Sequence, residues 1–169
     1  MQNNGIIFLN ANTIDAYIDD MIAIEQACFA QPWSRKAYLG EAKKNHLANY
    51  VGYAEAGRLW GYGGFWLILE EGHISNIAVH PAYRGRGIGK QVVQALILLC
   101  AAKGGKRMTL EVRTSNTAAI HLYEQLGFQN AGIRKAFYTD NNEDAYIMWL
   151  EAADMILGER EDDRKNTGY

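Results

Sequence analysis

The stretch from Ile74 to Lys90 constrains this chain more than any other. A β-rich run ends at Val79, a turn at Pro81 follows, and the loop Arg84-Gly-Arg-Gly-Ile-Gly-Lys90 opens directly into an apolar-periodic helix. The start of a helix leaves backbone N–H groups without partners and carries the positive end of the macrodipole, so such a loop suits phosphate groups. A strand, an anion-holding turn and a helix must therefore pack as one unit.

The rest of the chain supplies the layers around that unit. Strand patterns cover Gly5–Asn10, Asn49–Ala56, Leu59–Leu69, Gly72–Val79, Arg107–Val112, Phe128–Gly132 and Ala145–Glu151. Helical spacing covers Asn12 to about Phe29, Pro32 to about Asn45, Gly87–Lys103 and Asn116–Leu126, with Asn12 and Asn116 as expected caps. The order β-α-α-β-β-β-α-β-α-β-β predicts an α+β, mixed α/β domain. With 169 residues, 49% of them hydrophobic, the chain can build one substantial core and not two. Residues 1–157 are expected to form a single domain, and the apolar pattern stops at Gly158, so residues 158–169 read as a polar, disordered tail.

A net charge of −2 offers no bulk attraction for nucleic acid, although Arg84, Arg86 and Lys90 suit a small polyanion. No apolar run reaches membrane-spanning length and no leader-like segment opens the chain, so a cytoplasmic protein without membrane contact is expected. Cys28 and Cys100 stand alone, and His46, His73 and His80 show no ligand spacing, so no metal is expected.

Three loop types compete for the phosphate site. A P-loop needs a Gly five positions before the Gly of Gly-Lys-Ser/Thr, yet the position five before Gly89 holds Arg84, and Gln91 follows Lys90. The dinucleotide fingerprint starts at Gly85-Arg-Gly87 but meets Lys90 where its third glycine belongs. Arg84-Gly-Arg-Gly-Ile-Gly89 fits the third pattern, Arg/Gln-x-x-Gly-x-Gly, and here the chain resembles the GNAT superfamily of N-acetyltransferases.

Leu110-Glu-Val-Arg-Thr-Ser-Asn116 and Ala119-Ile-His-Leu-Tyr123-Glu-Gln-Leu-Gly-Phe128 resemble the second signature of that superfamily. Cys28-Phe-Ala-Gln-Pro-Trp-Ser34, Arg134 through Tyr138, and Glu143-Asp-Ala145 resemble more narrowly its RimI-type branch, the ribosomal-protein-alanine N-acetyltransferases. The resemblance implies a central, mostly antiparallel twisted sheet with one splayed parallel strand pair, flanked by helices. It implies transfer of acetyl from acetyl-CoA, without a metal, to a protein N-terminus, with the N-terminal alanine of ribosomal protein S18 as the leading acceptor. A small amine or a lysine side chain, and a non-enzymatic acetyl-CoA-binding module, are the alternatives.

By the same resemblance, Arg84, Gly85, Arg86, Gly87, Ile88, Gly89 and Lys90 would cradle the pyrophosphate. The backbone at Ile77, Ala78 and Val79 would meet the pantetheine arm and the thioester carbonyl, and Asn116 would contact that arm, although a plain helix cap explains it equally well. Trp33, Phe137 and Tyr138 would line the acceptor groove. Phe137-Tyr138-Thr139 stands where the branch tends to carry two tyrosines and a proline.

Acetyl transfer to an amine needs a neutral nucleophile and a proton for the leaving thiolate. Glu111, between Leu110 and Val112, is the candidate base; its plain alternative is an exposed strand carboxylate or an ion pair with Arg113. Tyr123 is the candidate acid; its alternative is a half-buried core tyrosine. His121, a rival base, lies two residues from Tyr123 and so faces another way on the helix.

Overall fold

The computed structural model describes residues 4–151 and Met155. The expected tail from Gly158 to Tyr169 lies outside the described residues. The elements are β1 (Gly5–Leu9), α1 (Ile14–Cys28), α2 (Arg35–Lys44), β2 (Ala48–Glu55), β3 (Arg58–Ile68), β4 (Glu71–Val79), α3 (Ile88–Ala102), β5 (Arg107–Arg113), α4 (Thr117–Gln125), β6 (Gln129–Tyr138) and β7 (Glu143–Glu151). Their order is the expected one, and a 3₁₀ turn at Pro81–Tyr83 joins β4 to the Arg/Gly loop.

One seven-stranded sheet runs β1-β2-β3-β4-β5-β7-β6. Every pairing is antiparallel except β4 with β5. That parallel ladder holds only from Glu71 to His73 against Arg107 to Thr109, after which the two strands part. A bulge assists the parting: Gly64 faces Asn76 and Phe65 faces Ile74, so Ser75 is the extra residue in β4.

Each face of the sheet carries its own core. On one face α3 and α4 bury Ile88, Val92, Val93 and Leu96 against Phe65, Met108, Leu110 and Val112. Helix α3 approaches β3 closely, since a Cβ at Gly63 would lie 2.9 Å from both Val92 and Leu96. On the other face α1 and α2 bury Ile14, Ile18, Met21, Ile24 and Tyr38 against Tyr50, Leu59, Tyr62 and Ala78. Alternation along β5 thus sends Met108, Leu110 and Val112 to the α3 face and Glu111 to the α1–α2 face.

Local chemistry sets several boundaries. Ser34 caps α2 by accepting from the Ala37 N–H at 3.1 Å. Helix α1 begins differently from expectation: Thr13 rather than Asn12 stands at the cap, and its hydroxyl donates to the Phe8 carbonyl at 2.6 Å instead of capping. Strand β6 also runs further than expected, to Tyr138. It does so through an irregularity between Arg134 and Tyr138, where Ala136 takes φ +48° and its N–H donates to Asp144 at 2.8 Å.

Candidate active site

The parting of β4 and β5 opens a cleft of about 420 Å³ through the sheet. Ile74, Ile77, Leu110, Val112, Asn116 and Tyr123 line it, as do Phe29, Trp33, Asn76, Glu111, Phe137 and Tyr138. Sequence reasoning named Ile77, Glu111, Asn116, Tyr123, Trp33, Phe137 and Tyr138, and the fold brings all seven to this one cleft.

The edge of β4 faces the gap with unspent backbone groups. The His80 N–H donates to the Trp60 carbonyl at 2.8 Å, which sets the parity of the β3–β4 ladder. Hydrogen-bonded pairs alternate in an antiparallel ladder, so Ala78 bonds toward Tyr62 while Ile77 and Val79 turn their N–H groups toward the gap. Ala78 therefore offers the cleft neither backbone, which β3 engages, nor side chain, which is buried under α1.

The loop ahead of α3 has the geometry an anion needs. Gly85 and Gly87 take φ +78° and +77°, where a side chain is strained. The first backbone bond runs from the Gln91 N–H to the Gly87 carbonyl, so the N–H groups just before it point outward unpaired. The Ile88 side chain is buried beneath them and anchors the helix start. Lys90 is exposed on the first turn.

The two arginines of the loop differ. Arg84 folds back: its Nε donates to the Val79 carbonyl and its Nη2 to Cys28 Sγ, both at 3.3 Å. Its guanidinium ties the loop to β4 and α1. Arg86 instead lies 4.4 Å over the ring of Tyr83, which itself stacks on Trp60 at 3.7 Å. Backbone N–H groups, Arg86 and Lys90 thus remain for a pyrophosphate, and the residues present fit that group.

Glu111 and Tyr123 come from opposite sides. Glu111 projects to the α1–α2 face with 28% of its side chain exposed. Its ion pair is with Arg134 of β6 at 3.3 Å, and not with Arg113 as its plain alternative had it. Arg113 is taken by Asp140 at 2.9 Å and Glu143 at 3.3 Å, and it covers the ring of Tyr138 at 3.9 Å. Tyr123, 8% exposed, reaches the cleft from α4 on the α3 face and packs edge-on against Phe128 at 5.8 Å. Burial raises its phenol well above the ordinary value, with the nearby Tyr138 adding to the effect. His121 bonds Gln125 at 3.2 Å on the exposed side of α4, away from the cleft.

The acceptor side is shaped by two segments. The α1–α2 connection brings in Phe29, Gln31 and Trp33, while the end of β6 and the turn after it bring in Phe137 through Asp140. The extra residues of β6 push Phe137 outward, so it stands 43% exposed and edge-on to Tyr138 at 5.1 Å. Asn116 caps α4 by accepting from Ala119 at 3.2 Å, which leaves its amide N–H groups for the cleft. Arg134 opens a segment that resembles the RimI-type branch, but its pairing with Glu111 was not legible in sequence, and Asn76 belongs to no motif; each reaches the site through strand order.

Comparisons with known proteins agree with this geometry. The model of the acetyltransferase (GNAT) family matches residues 18–128. The chain is 39% identical over 129 residues to the [ribosomal protein bS18]-alanine N-acetyltransferase of Escherichia coli, covering 75% of this chain and 86% of that one. It is 39% identical over 127 residues to the N-alpha-acetyltransferase RimI of Mycobacterium tuberculosis, covering 73% and 78%. The crystal structure of the ribosomal-protein-S18-alanine N-acetyltransferase from Escherichia coli superposes with a TM-score of 0.77 at 34% identity, over 89% of this chain and 94% of that one. Sheet order, splayed strands and Arg/Gly loop thus meet in a likeness that runs through most of the sequence, and the chain belongs to the GNAT acetyltransferase family, in its RimI-type branch.

Proposed function

We propose that this protein transfers the acetyl group of acetyl-CoA to the N-terminal α-amine of a protein in the cytoplasm, with the N-terminal alanine of ribosomal protein S18 as acceptor. The observation that carries the reading is the placement of Glu111 and Tyr123 on opposite faces of the sheet where β4 and β5 part. The names of the RimI-type relatives support the acceptor.

The donor supplies a thioester, an acyl group already activated toward amines. The loop amides at Gly85–Lys90 and the cations Arg86 and Lys90 would hold its phosphates, while the gap-facing N–H groups of Ile77 and Val79 would receive its arm and polarise its carbonyl. Glu111 works on the amine. An α-ammonium has a pKa of about 7.7–8.0, so about a tenth is neutral at pH 7, against a few parts in ten thousand for lysine at about 10.4. A single carboxylate is enough to draw off the remaining proton from such an amine. Arg134 holds one oxygen of Glu111, and the other carries no hydrogen bond among the described residues.

Tyr123 works on the other side. Its raised pKa keeps the phenol protonated, so it donates a hydrogen bond to the sulfur as negative charge grows there. Proton transfer from so weak an acid comes late, after the carbon–sulfur bond has lengthened.

The test is thiol release from acetyl-CoA with peptides that differ only in their first residue, alongside free lysine and spermidine. Peptides beginning with alanine are expected to react fastest. Turnover with spermidine alone overturns the reading.

A further inference from the structure

Behind the cleft runs a chain of polar groups that the reaction as described leaves unused. Glu25, 1% exposed, accepts from the Trp33 N–H at 3.0 Å, from the Tyr38 hydroxyl at 2.8 Å, and from the Tyr62 hydroxyl. Burial raises both tyrosines far above the ordinary value, so each keeps its proton and serves as a donor. Once Tyr38 has given its only proton to Glu25, its oxygen can do nothing but accept. Asn76 meets it at 3.0 Å, and must do so with its amide nitrogen.

That order of protons decides which end of the Asn76 carboxamide is left over. Its Oδ1 is buried and has no hydrogen-bond partner among the described residues. An orphaned buried acceptor is costly and calls for an explanation. Asn76 lines the cleft, and its bond to Tyr38 of α2 places it on the same sheet face as Glu111.

We infer that Asn76 Oδ1 is the acceptor that holds the incoming amine opposite Glu111, and that Glu25, acting through Tyr38, is the positioning residue that keeps this oxygen turned toward it. This rests on the amine-acetylation reading above. An ammonium group carries more than one N–H. Glu111 removes one proton while Asn76 holds a second N–H in place, which aims the emerging lone pair. A neutral carbonyl oxygen suits that task, because a second carboxylate would favour the charged amine and oppose its deprotonation.

The test is steady-state kinetics of Asn76→Ala, Asn76→Asp and Tyr38→Phe on an alanine-starting peptide, with KM for acetyl-CoA measured in parallel. Asn76→Ala is expected to lower kcat/KM for the peptide roughly tenfold or more, the effect of losing a hydrogen bond to a charged group, with KM for acetyl-CoA within about twofold of the parent. Tyr38→Phe keeps the ring but frees the carboxamide to turn, so it lowers the same constant severalfold. Asn76→Asp shifts the pH profile of kcat/KM to higher pH. An unchanged peptide constant in Asn76→Ala overturns the inference, as does an equal change in KM for acetyl-CoA. If the unsubstituted protein acetylates only lysine or spermidine, the N-terminal reading falls by itself, and the same ratio measured with that amine decides the role of Asn76.

Discussion

Glu111 on β5 and Tyr123 on α4 line the same cleft from opposite faces of one sheet. The gap exists because β4 and β5 pair over three residues and then diverge. In the proposed reaction an acceptor entering from the α1–α2 face would meet the carboxylate, while a donor lying along the α3 face would meet the phenol.

Glu111→Gln keeps the shape of the side chain and removes its basicity. General-base removal costs about 10²–10⁴ in rate, so kcat should fall by at least about 100-fold. Affinity for acetyl-CoA, measured by calorimetry, should be unchanged. Near-parental turnover in this variant would remove Glu111 from the reaction.

Tyr123→Phe retains the packing against Phe128, and the hydroxyl it loses has no protein partner among the described residues. Thermal stability should move by less than about 1 kcal/mol, whereas kcat falls by about 10-fold or more, as expected when one donor to a developing anion is lost. A variant that loses stability and keeps its turnover would show a tyrosine serving only the core.

Gly87 stands at φ +77° with open space where a Cβ would go. Gly87→Ala should therefore cost about 1 kcal/mol through backbone strain alone. It should also raise KM for acetyl-CoA, because relaxing the strain turns the loop amides. Denaturant midpoints and donor titrations read the two effects separately.

Arg84 and Arg86 should separate in the same way. Arg86→Ala is expected to weaken acetyl-CoA binding and to flatten its salt dependence. Arg84→Ala should instead lower stability, because its guanidinium holds Val79 and Cys28. The reverse pattern would mean that Arg84 leaves those partners to reach the phosphates.

Glu143 links the β6–β7 turn to the start of α4. Hydrogen bonds from Ser115, then from Arg113 and Asn141, lower its carboxyl from 4.5 to about 2. A depressed folded value means that its contribution is complete above pH 4.5 and is lost as pH falls toward 2. Unfolding midpoints measured between those limits should decline in the parent protein, and Glu143→Gln should remove that part of the slope.

Much of this protein can be read along the chain itself. Element order, the glycine-rich helix start, and Glu111 and Tyr123 as chemical candidates all follow from local patterns. Apolar periodicity, capping and turn preferences act over a few residues and leave their mark in sequence. Tertiary structure decided the rest. Strand β7 lies between β5 and β6, which puts Arg134 beside Glu111 and leaves Arg113 to Asp140 and Glu143. Arg84 reads as a phosphate ligand in its motif, yet it is claimed by a carbonyl and a thiol that only folding brings near. Asn76 has no motif at all, and its free oxygen follows from hydrogen-bond order set by Glu25, 51 positions earlier in the sequence. Such pairings depend on register and packing between distant segments, so they appear only once the whole sheet has closed around them.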